Sequence, residues 1–559
     1  MTSLSDKILS AQTVHGIAPH DVQYDFSSIA EVLKARAEDE RTWMIYYDEQ
    51  NNRTEYSFKN FVARVCQTAG LLKANGLKRG DRIATAAHNH PDTIVQYFAA
   101  WMLGACVVPL NMTEDDARIS YILQNSRAKL VFCREDYLAR LEALLQSDVL
   151  KEKALKIIPV FGDELRDGGF HELLKSSETA EFPKGDFLDD ECLIVYTSGT
   201  TGNPKGVVLV QRNLFADGTS IAAWHGIDAT QRMMCVLPIH HVNGTIVTTV
   251  TPFLAGASLV LNRKFQTEYF FKRILDEKVN IVSVVPTLLA FLLEGKADSL
   301  DVLKNGFKHI ICGAGPLTCE LAKQFEDHYG IRIMHGYGLS ETTCYSCFLP
   351  TELSNEEHRH WMQDFGFPSI GVPIPANEMA IHDENGNSLG EMERGEIVIR
   401  GTNVMKEYYE NPKANEETFK NGWFRSGDEG FFKKDEQGRD FYFITGRLKE
   451  LIIRGGVNLA PLEIDEVLAR APGVKAGICV GFVNDFYGEE VGALVIPTNE
   501  NVLKEEILDF CFKNLAFSKA PKVVIFAENL PVTSTGKYQR NKVKELFKEY
   551  QGVQFKKVK

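Results

Sequence analysis

Short apolar runs alternate with helical patterns along this chain, and this alternation constrains its fold more than any other feature. Residues 82–87 are predicted to form a strand, Asp92–Leu103 the next helix with Asp92 as its cap, and Cys106–Leu110 the next strand. This order predicts parallel strands covered by helices. Similar buried strands are predicted at residues 129–133, 157–161, 192–196 and 309–312.

Two later regions depart from this pattern. Residues 395–400 lie among glycine-rich turns, which favours antiparallel hairpins. Pro461–Ala471 is predicted to be a helix that ends at Pro472-Gly473, and strands are predicted at 477–481 and 493–497. The last part therefore forms a separate small α/β unit. No low-complexity linker precedes it, so a short hinge is expected.

Length and charge limit the possible classes of protein. The 559 residues allow three or four structural units at about 150 residues each. A net charge of −13 argues against general binding to nucleic acid or to anionic membranes. The most apolar stretch, Ile94–Leu110, is interrupted by Gln96, Gly104 and Pro109, so no membrane span is predicted.

The termini and cysteines indicate a cytoplasmic protein. Neither end of the chain resembles a signal peptide or a lipidation signal. The chain has 11 cysteines, an odd number, and they are scattered through apolar segments. This pattern is typical of reduced thiols. One C-x-x-C pair, Cys344 and Cys347, lacks the second ligand pair that zinc would need, so two incidental thiols are expected.

The loop Tyr196–Gly206, Tyr-Thr-Ser-Gly-Thr-Thr-Gly-Asn-Pro-Lys-Gly, suits a polyphosphate. Glycines let backbone amides approach an anion, hydroxyls donate hydrogen bonds, and Lys205 adds positive charge. The loop directly follows a buried strand, unlike a flexible linker. Pro204 and Gly206 flank the lysine, so this is not a Walker A loop. The predicted phosphate-binding residues are Thr197, Ser198, Gly199, Thr200, Thr201, Gly202 and Lys205.

This loop resembles the phosphate loop of the adenylate-forming superfamily, which includes acyl-CoA synthetases, peptide-synthetase adenylation domains and firefly luciferase. Further segments resemble the family's motifs in the family's order and extend the resemblance over nearly the whole chain: residues 313–316, 336–343, 422–428, 446–456 and 530–537. The implied fold is α/β, with a large N-terminal domain of parallel sheets and helices, a β-barrel-like subdomain, and a small mobile C-terminal α/β domain. The implied domains are residues 1–447 and 448–559.

In the segment 336–343, the resemblance implies that Tyr337 stacks on adenine, Glu341 binds a Mg²⁺ ion that bridges the phosphates, and Thr342 bonds the α-phosphate. A carboxylate suits this role because a hard cation prefers oxygen ligands. By the same resemblance, another wall of the adenine and acyl pocket consists of Gly313, Ala314 and Gly315.

The resemblance assigns the ribose hydroxyls to Asp428 and Arg447. A carboxylate can accept hydrogen bonds from two neighbouring hydroxyls. Lys449 occupies the position of the family's hinge residue. The resemblance also implies that two glycines let the backbone approach the pantetheine thiol, Gly455 and Gly456.

Lys537 ends the segment Leu530–Lys537, which looks like the C-terminal motif whose lysine catalyses adenylation. A lysine is a mobile point charge that can follow charge onto a transferring phosphoryl group.

Two adjacent histidines lie in the segment Pro238–Gly244, which usually reads Pro-Leu-Phe-His in acyl-CoA synthetases. The resemblance implies that His241 lines the acyl pocket and gates the pantetheine tunnel, while His240 replaces the usual aromatic residue. In an extended segment the two side chains would point to opposite faces, so no metal site is expected. Pro286-Thr287 resembles another stretch that lines the pocket.

The predicted protein is an ATP-dependent acid–thiol ligase, an AMP-forming acyl-CoA synthetase with Mg²⁺. Its implied partners are a carboxylic acid, ATP and coenzyme A. The nearest alternative is an acyl-AMP ligase that loads a carrier protein's phosphopantetheine arm. A luciferase-like oxygenase has no supporting feature, and a non-catalytic nucleotide-binding protein would not need all the charged residues named above.

The residues leave the identity of the acid open. No tryptophan lies in residues 336–343, where acetate-specific members of the family have one, so acetate is disfavoured. The small residues Gly313, Ala314 and Gly315 permit a larger acyl group.

Overall fold

The computed structural model describes residues 3–147, 149–151, 155–162, 165–197, 203–299, 301–532 and 538–556. The α-helices of this part of the chain are α1 (Leu4–Gln12), α2 (Ile29–Arg36), α3 (Phe58–Ala74), α4 (Pro91–Met102), α5 (Asp116–Ser126), α6 (Glu135–Leu145), α7 (Phe170–Ser176), α8 (Gln211–His225), α9 (Thr251–Ala255), α10 (Thr267–Asp276), α11 (Pro286–Glu294), α12 (Cys319–Tyr329), α13 (Asn355–Gln363), α14 (Pro412–Thr418), α15 (Pro461–Ala469), α16 (Lys504–Asn514) and α17 (Arg540–Lys544). A π-helix spans Asn243–Val250, and short 3₁₀ turns span Pro19–Asp21, Val302–Asn305, Ser340–Thr342, Lys420–Gly422, Leu448–Glu450 and Glu545–Tyr550.

The strands are β1 (Thr42–Tyr47), β2 (Arg53–Ser57), β3 (Arg82–Ala86), β4 (Cys106–Leu110), β5 (Leu130–Arg134), β6 (Lys156–Val160), β7 (Glu191–Thr197), β8 (Lys205–Val210), β9 (Arg232–Cys235), β10 (Ser258–Asn262), β11 (Ile281–Val284), β12 (His309–Cys312), β13 (Ile333–Tyr337), β14 (Cys347–Phe348), β15 (Val372–Pro373), β16 (Asn377–His382), β17 (Gly395–Gly401), β18 (Glu407–Tyr408), β19 (Phe424–Lys434), β20 (Asp440–Arg447), β21 (Ile452–Arg454), β22 (Val457–Leu459), β23 (Val474–Asn484), β24 (Gly488–Pro497) and β25 (Val523–Phe526).

Two large sheets, each with a block of parallel strands, form the N-terminal part. The first has the order β15-β14-β13-β12-β11-β9-β10-β1-β2, and its strands from β13 to β1 are parallel. The second has the order β18-β8-β7-β4-β3-β5-β6, with β7 to β6 parallel. The predicted parallel α/β fold is therefore confirmed.

The parallel strands are buried because helices cover their faces. Every residue of β4 is buried, as is every residue of β5. The helix α4 is buried along its whole length, and Trp101 on it donates a hydrogen bond from Nε1 to the carbonyl of Cys192 at 2.6 Å. This bond ties α4 to β7, the strand that leads into the predicted phosphate loop.

A third sheet confirms the predicted antiparallel region. Its order is β16-β17-β19-β20, and all three pairings are antiparallel. Because β20 ends at Arg447, this sheet leads directly into the C-terminal part of the chain.

The C-terminal residues form their own five-stranded sheet, in which β25 pairs with β24 beside the order β22-β21-β24-β23. Two apolar clusters consist only of residues from Leu451 onwards, including Ile464 and Phe547. The unit contacts the N-terminal part through Glu466 of α15, which accepts hydrogen bonds from the Cys319 backbone N–H at 3.0 and 3.1 Å. Burial raises the pKa of this carboxyl to about 8. None of the described helices is long and apolar enough to cross a membrane.

The prediction that Asp92 caps α4 is wrong. His90, not Asp92, caps α4, since its Nδ1 accepts from the Asp92 backbone N–H at 3.2 Å. The Asp92 carboxylate is buried and contacts Arg64 Nη2 at 2.6 Å and His171 Nε2 at 2.8 Å. Sequence alone did not reveal this use, because both partners lie on other elements.

We predict that Asp92→Ala lowers the free energy of unfolding by about 3–5 kcal/mol, because it removes the carboxylate next to the buried Arg134, whose Nη1 lies 3.8 Å from Asp92 Oδ2, and next to the half-buried Arg64. The matched control is Asp327→Ala, since Asp327 and its partner Lys323 are 56% and 52% exposed and lie 2.5 Å apart. Its loss should cost under about 1 kcal/mol. Urea denaturation of both variants measures the difference, and equal losses would contradict this role for Asp92.

Candidate active site

The predicted phosphate loop connects two paired strands. Thr197 ends β7, Lys205 begins β8, and the two residues are antiparallel partners. This hairpin holds both ends of the loop at the edge of the parallel block. Five residues predicted to bind phosphate lie outside the described residues: Ser198, Gly199, Thr200, Thr201 and Gly202.

Three residues predicted to hold the nucleoside meet at one point. Tyr337 ends β13, and its hydroxyl donates to Asp428 Oδ2 at 2.6 Å. Arg447 Nε contacts the other carboxylate oxygen, Oδ1, at 2.9 Å. Asp428 and Arg447 are partners across β19 and β20, which explains why residues 19 positions apart are adjacent. The structure therefore brings the end of a parallel strand against the antiparallel sheet.

The electrostatics of this cluster follow from burial and from the carboxylate. Burial raises the pKa of Tyr337, and the negative charge of Asp428 raises it further. The same charge raises the pKa of Arg447 above its ordinary value. A carboxylate has about four lone-pair positions, so two contacts leave acceptor capacity for two ribose hydroxyls.

The turn before Asp428 is fixed by local hydrogen bonds. Ser426 Oγ accepts from the Asp428 backbone N–H at 3.0 Å, and Glu396 Oε1 accepts from the Gly427 N–H at 2.9 Å. Gly427 has a φ of +74°, a conformation that favours glycine. The sequence Ser-Gly-Asp thus orients the carboxylate by its own backbone geometry.

Glu341 lies in the 3₁₀ turn after β13, and its Oε1 accepts a hydrogen bond from the hydroxyl of Tyr408 at 2.7 Å. Lys205 Nζ lies 4.6 Å from the centre of the Tyr408 ring. Tyr408 therefore connects the predicted metal ligand to the phosphate-loop lysine. Burial raises the pKa of Tyr408, and the charge of Glu341 adds to this effect. The contact of Tyr408 with Glu341 was not predicted from the sequence. Tyr408 lies in the two-residue strand β18, which pairs with the distant strand β8.

The residues around Glu341 fit a Mg²⁺ ion held chiefly by a nucleotide. The Tyr408 hydroxyl donates to Glu341 Oε1, so the other carboxylate oxygen, Oε2, could bind a cation. In the described ranges no group of three or more His, Cys, Asp or Glu side chains is placed to hold a metal alone. Mg²⁺ is commonly bound by one or two carboxylates together with substrate phosphates, so a single carboxylate fits this ion.

Thr342 is buried, and its hydroxyl bonds locally. Its Oγ1 accepts from the Leu339 N–H at 3.0 Å and donates to the Leu339 carbonyl at 3.3 Å. In this arrangement Thr342 fixes the turn that presents Glu341. Its contact with the α-phosphate stays a prediction.

The segment Gly313-Ala314-Gly315 follows β12, so it lies at the same sheet edge as Tyr337. A Cβ on Gly313 would lie 2.6 Å from the Tyr345 hydroxyl and 2.7 Å from the Gly336 carbonyl, so a side chain does not fit there. Ala314 has a φ of +63°. The Tyr345 side chain occupies the space beside Gly313. This contact was not predicted from the sequence.

The two histidines are not in an extended segment, which corrects that expectation. His240 and His241 lie in the turn before the π-helix, and their ring centres are 4.3 Å apart. Burial lowers the pKa of His240 to about 4, so its ring is neutral at pH 7. His240 Nε2 is buried and has no hydrogen-bond partner among the described atoms. The residue Pro286 begins α11, and Thr287 follows it in that helix.

The predicted hinge and thiol-site residues lie in short connections. Lys449 is exposed in the 3₁₀ turn Leu448–Glu450, directly after β20. Gly455 and Gly456 form the exposed turn between β21 and β22, with φ values of +58° and +82°. Lys537 lies outside the described residues.

The cysteines of the C-x-x-C pair, Cys344 and Cys347, are both buried, and burial raises the pKa of each thiol.

Known proteins share both the sequence and the fold of this chain. Residues 33–409 match the AMP-binding enzyme model, and residues 463–537 match the model of the AMP-binding enzyme C-terminal domain. The chain is 32% identical over 473 residues to a sulfoacetate–CoA ligase of Cupriavidus necator, covering 84% of this chain and 88% of that protein. It is 31% identical over 495 residues to a long-chain-fatty-acid–CoA ligase of Mycobacterium tuberculosis, covering 89% and 93%. The ATP-bound structure of MatB from Rhodopseudomonas palustris superposes with a TM-score of 0.83 at 25% identity, covering 94% of this chain and 99% of that chain.

The fold and the site define an α/β enzyme of the adenylate-forming class. The chain belongs to the family of AMP-binding enzymes, whose main model matches more than half of its length. The prediction of an acid–thiol ligase is confirmed at the level of this class by the named relatives.

We predict that Tyr408→Phe raises the Mg²⁺ concentration needed for half-maximal activity about tenfold. The variant removes a hydrogen bond to a charged group, a bond of about 1.5–3 kcal/mol, and Glu341 loses the contact that orients it. Pyrophosphate release titrated with Mg²⁺ measures the effect.

Tyr409→Phe is the matched control for this variant, because the Tyr409 ring packs beneath Arg82 rather than against Glu341. It should leave the Mg²⁺ dependence unchanged. An unchanged dependence in Tyr408→Phe would remove the proposed link between this tyrosine and the metal ligand.

Proposed function

We propose that this chain is an AMP-forming acyl-CoA synthetase. It would convert a carboxylic acid and ATP to acyl-AMP and pyrophosphate, and then transfer the acyl group to coenzyme A with release of AMP. The proposal rests chiefly on one observation, the meeting of Tyr337, Asp428 and Arg447 at the edge of a parallel sheet. Relatives named as CoA ligases support coenzyme A as the acceptor.

The nucleotide would bind along this edge. Adenine would stack on the Tyr337 ring, while Asp428 and Arg447 would bind the ribose hydroxyls. The phosphates would then extend toward the β7–β8 hairpin, where Lys205 adds positive charge at the loop's end. Mg²⁺, when bound at Glu341, would neutralise negative charge on the phosphates.

In the first step a carboxylate oxygen of the acid attacks the α-phosphorus of ATP. A new oxygen–phosphorus bond forms, and the bond to the bridging oxygen of pyrophosphate breaks. Little proton transfer is needed, so positioning and electrostatic stabilisation supply most of the acceleration. Lys205 and Lys537 are the proposed side-chain cations for the leaving pyrophosphate.

In the second step the coenzyme A thiol loses its proton to solvent and its sulfur attacks the acyl carbonyl, and AMP leaves with the electron pair of the broken carbon–oxygen bond. His241 would line this path. Gly455 and Gly456 are exposed and lack side chains, so their backbone can approach a pantetheine thiol. This step would need the C-terminal unit in a second orientation, because Lys537 would otherwise occupy the space that the thiol must enter.

We propose residues 1–447 and 448–559 as the two units that rotate, with Lys449 as the hinge. Two features support this division. The C-terminal residues have their own apolar clusters and sheet, and the exposed Lys449 lies in the short turn that joins this sheet to β20. Rotation would break the bond from Cys319 to Glu466 and the 2.6 Å ion pair of Lys475 with Glu294.

We predict that Lys537→Ala slows pyrophosphate release about 100- to 1,000-fold, because one well-placed charged group is lost from adenylation. Conversion of supplied acyl-AMP to thioester should be nearly unchanged. Both steps are measured on the full chain with a panel of carboxylic acids, with and without coenzyme A.

Lys548→Ala is the matched control, since Lys548 belongs to the same unit and is 74% exposed. It should leave both steps unchanged. Equal loss of both steps in Lys537→Ala would contradict a role confined to adenylation. Formation of acyl-AMP that coenzyme A never accepts would favour a carrier protein as the acceptor, and no release with any acid would contradict the function.

A further inference from the structure

A buried carboxylate lies close to the exposed turn of Gly455 and Gly456. The Glu490 side chain on β24 is fully buried, and both of its oxygens bond to Arg454 on β21. Arg454 Nε donates to Oε1 at 2.7 Å, and Nη2 donates to Oε2 at 2.9 Å. Such a bidentate pair fixes the orientation of a guanidinium more strictly than a single contact does. Because Arg454 directly precedes the two glycines, its side chain anchors the start of their turn.

The backbone of this turn is tied to the same part of the unit. Arg454 pairs with Val457 across the turn and with Gly488 at the start of β24. The Gly455 N–H donates to the Tyr487 carbonyl at 2.8 Å. The Arg454 guanidinium also lies over the Tyr487 ring, 3.9 Å from its centre. The position of the turn therefore depends on contacts that Arg454 makes with β24 and with the residue before it.

A second cation, Lys522, lies beside the same carboxylate. Its Nζ is 3.3 Å from Glu490 Oε1, and only 1% of its side chain is exposed. Burial lowers the pKa of Lys522 to about 8, although the charge of Glu490 acts in the opposite direction. Burial also acts to lower the pKa of Arg454, but the bonds to Glu490 outweigh it and raise this pKa. Arg454 therefore stays charged at pH values at which Lys522 loses its proton.

Stability alone does not account for this buried pair. Replacement of a buried ion pair by apolar residues of similar volume is often neutral or stabilising. A bidentate pair does, however, select one geometry for the groups that it joins. Backbone that approaches a reacting thiol needs such a geometry, because a displacement of about 1 Å can cost about 100-fold in rate. The turn next to Arg454 is the proposed thiol site.

We propose that Glu490 is a positioning residue for acyl transfer to coenzyme A. It holds Arg454, and through Arg454 it holds the Gly455–Gly456 turn where the pantetheine thiol would approach. Because Glu490 is buried, it acts through this pair and does not itself contact a substrate. This inference rests on the proposed function. It goes beyond that function because it assigns a buried residue outside the site to one half-reaction.

The test measures the two half-reactions of the full chain separately. Glu490→Gln keeps the size of the side chain and removes its charge, whereas Arg454→Lys keeps the charge and removes the bidentate geometry. The supplied acyl-AMP is that of the acid, among a panel of carboxylic acids, that the wild type activates fastest. In each variant its conversion to thioester should slow about 10- to 100-fold, while pyrophosphate release should stay within about twofold of the wild-type rate.

Two comparisons separate positioning from a general loss of structure. Pyrophosphate release reports that the C-terminal unit is folded, since the proposed adenylation lysine, Lys537, belongs to it. The variant with both substitutions should transfer the acyl group no more slowly than the slower single variant, because both changes break the same pair. Glu506→Gln is the matched control, as it makes the same substitution at an exposed position of α16 in this unit. It should leave both half-reactions unchanged.

Hydrogen exchange measures the position of the turn without reference to activity. The Gly455 amide is protected by its bond to the Tyr487 carbonyl. In Glu490→Gln the peptide that contains Gly455 should exchange at least about tenfold faster than in the wild type, because local opening of the turn becomes easier.

The results distinguish this inference from the function beneath it. Unchanged acyl transfer in both single variants, equal loss of both half-reactions, or unchanged exchange at Gly455 would overturn the inference and leave the synthetase function standing. A wild type that forms acyl-AMP but never a thioester with coenzyme A would overturn both.

Discussion

The carboxylate of Asp428 is the contact on which the geometry of the site depends. One of its oxygens accepts from Tyr337, at the end of a parallel strand, and the other contacts Arg447 on the antiparallel sheet. Two sheets of different topology are therefore held together at the proposed nucleoside position. Charge-assisted hydrogen bonds are shorter and stronger than neutral ones, so this cluster fixes where the sheets meet. The proposed hinge follows Arg447 by only two residues.

In the proposed mechanism, adenylation and transfer to coenzyme A take place in one pocket next to the Asp428 cluster. Glu341, the proposed Mg²⁺ ligand, follows β13, and Gly313, a proposed wall of the acyl pocket, follows the neighbouring parallel strand β12. The reacting carboxylate would lie between them. A mixed anhydride is vulnerable to water, so a small closed pocket protects it better than an open groove.

Local patterns allowed most of the fold to be predicted, whereas the proposed nucleotide residues came chiefly from the resemblance to the adenylate-forming superfamily. The runs around Cys106 and His309 became parallel strands, because a buried strand has a signal within its own few residues. The position of Tyr408 between Glu341 and Lys205 was not predicted, since these residues are distant in sequence. The expectation of an extended segment at His240 was wrong, because a turn leads there into a π-helix. Asp92 was wrongly assigned as a cap; its carboxylate instead contacts Arg64 and His171, which lie on other helices.

The most direct test of the central claim follows one atom of the acid. Wild-type protein is incubated with ATP, coenzyme A and an accepted acid whose carboxylate contains ¹⁸O, and the products are analysed by mass spectrometry. Attack of the carboxylate on the α-phosphorus predicts AMP with one ¹⁸O atom from the acid, together with unlabelled pyrophosphate. Unlabelled AMP, or ADP and phosphate as the products, would contradict the account.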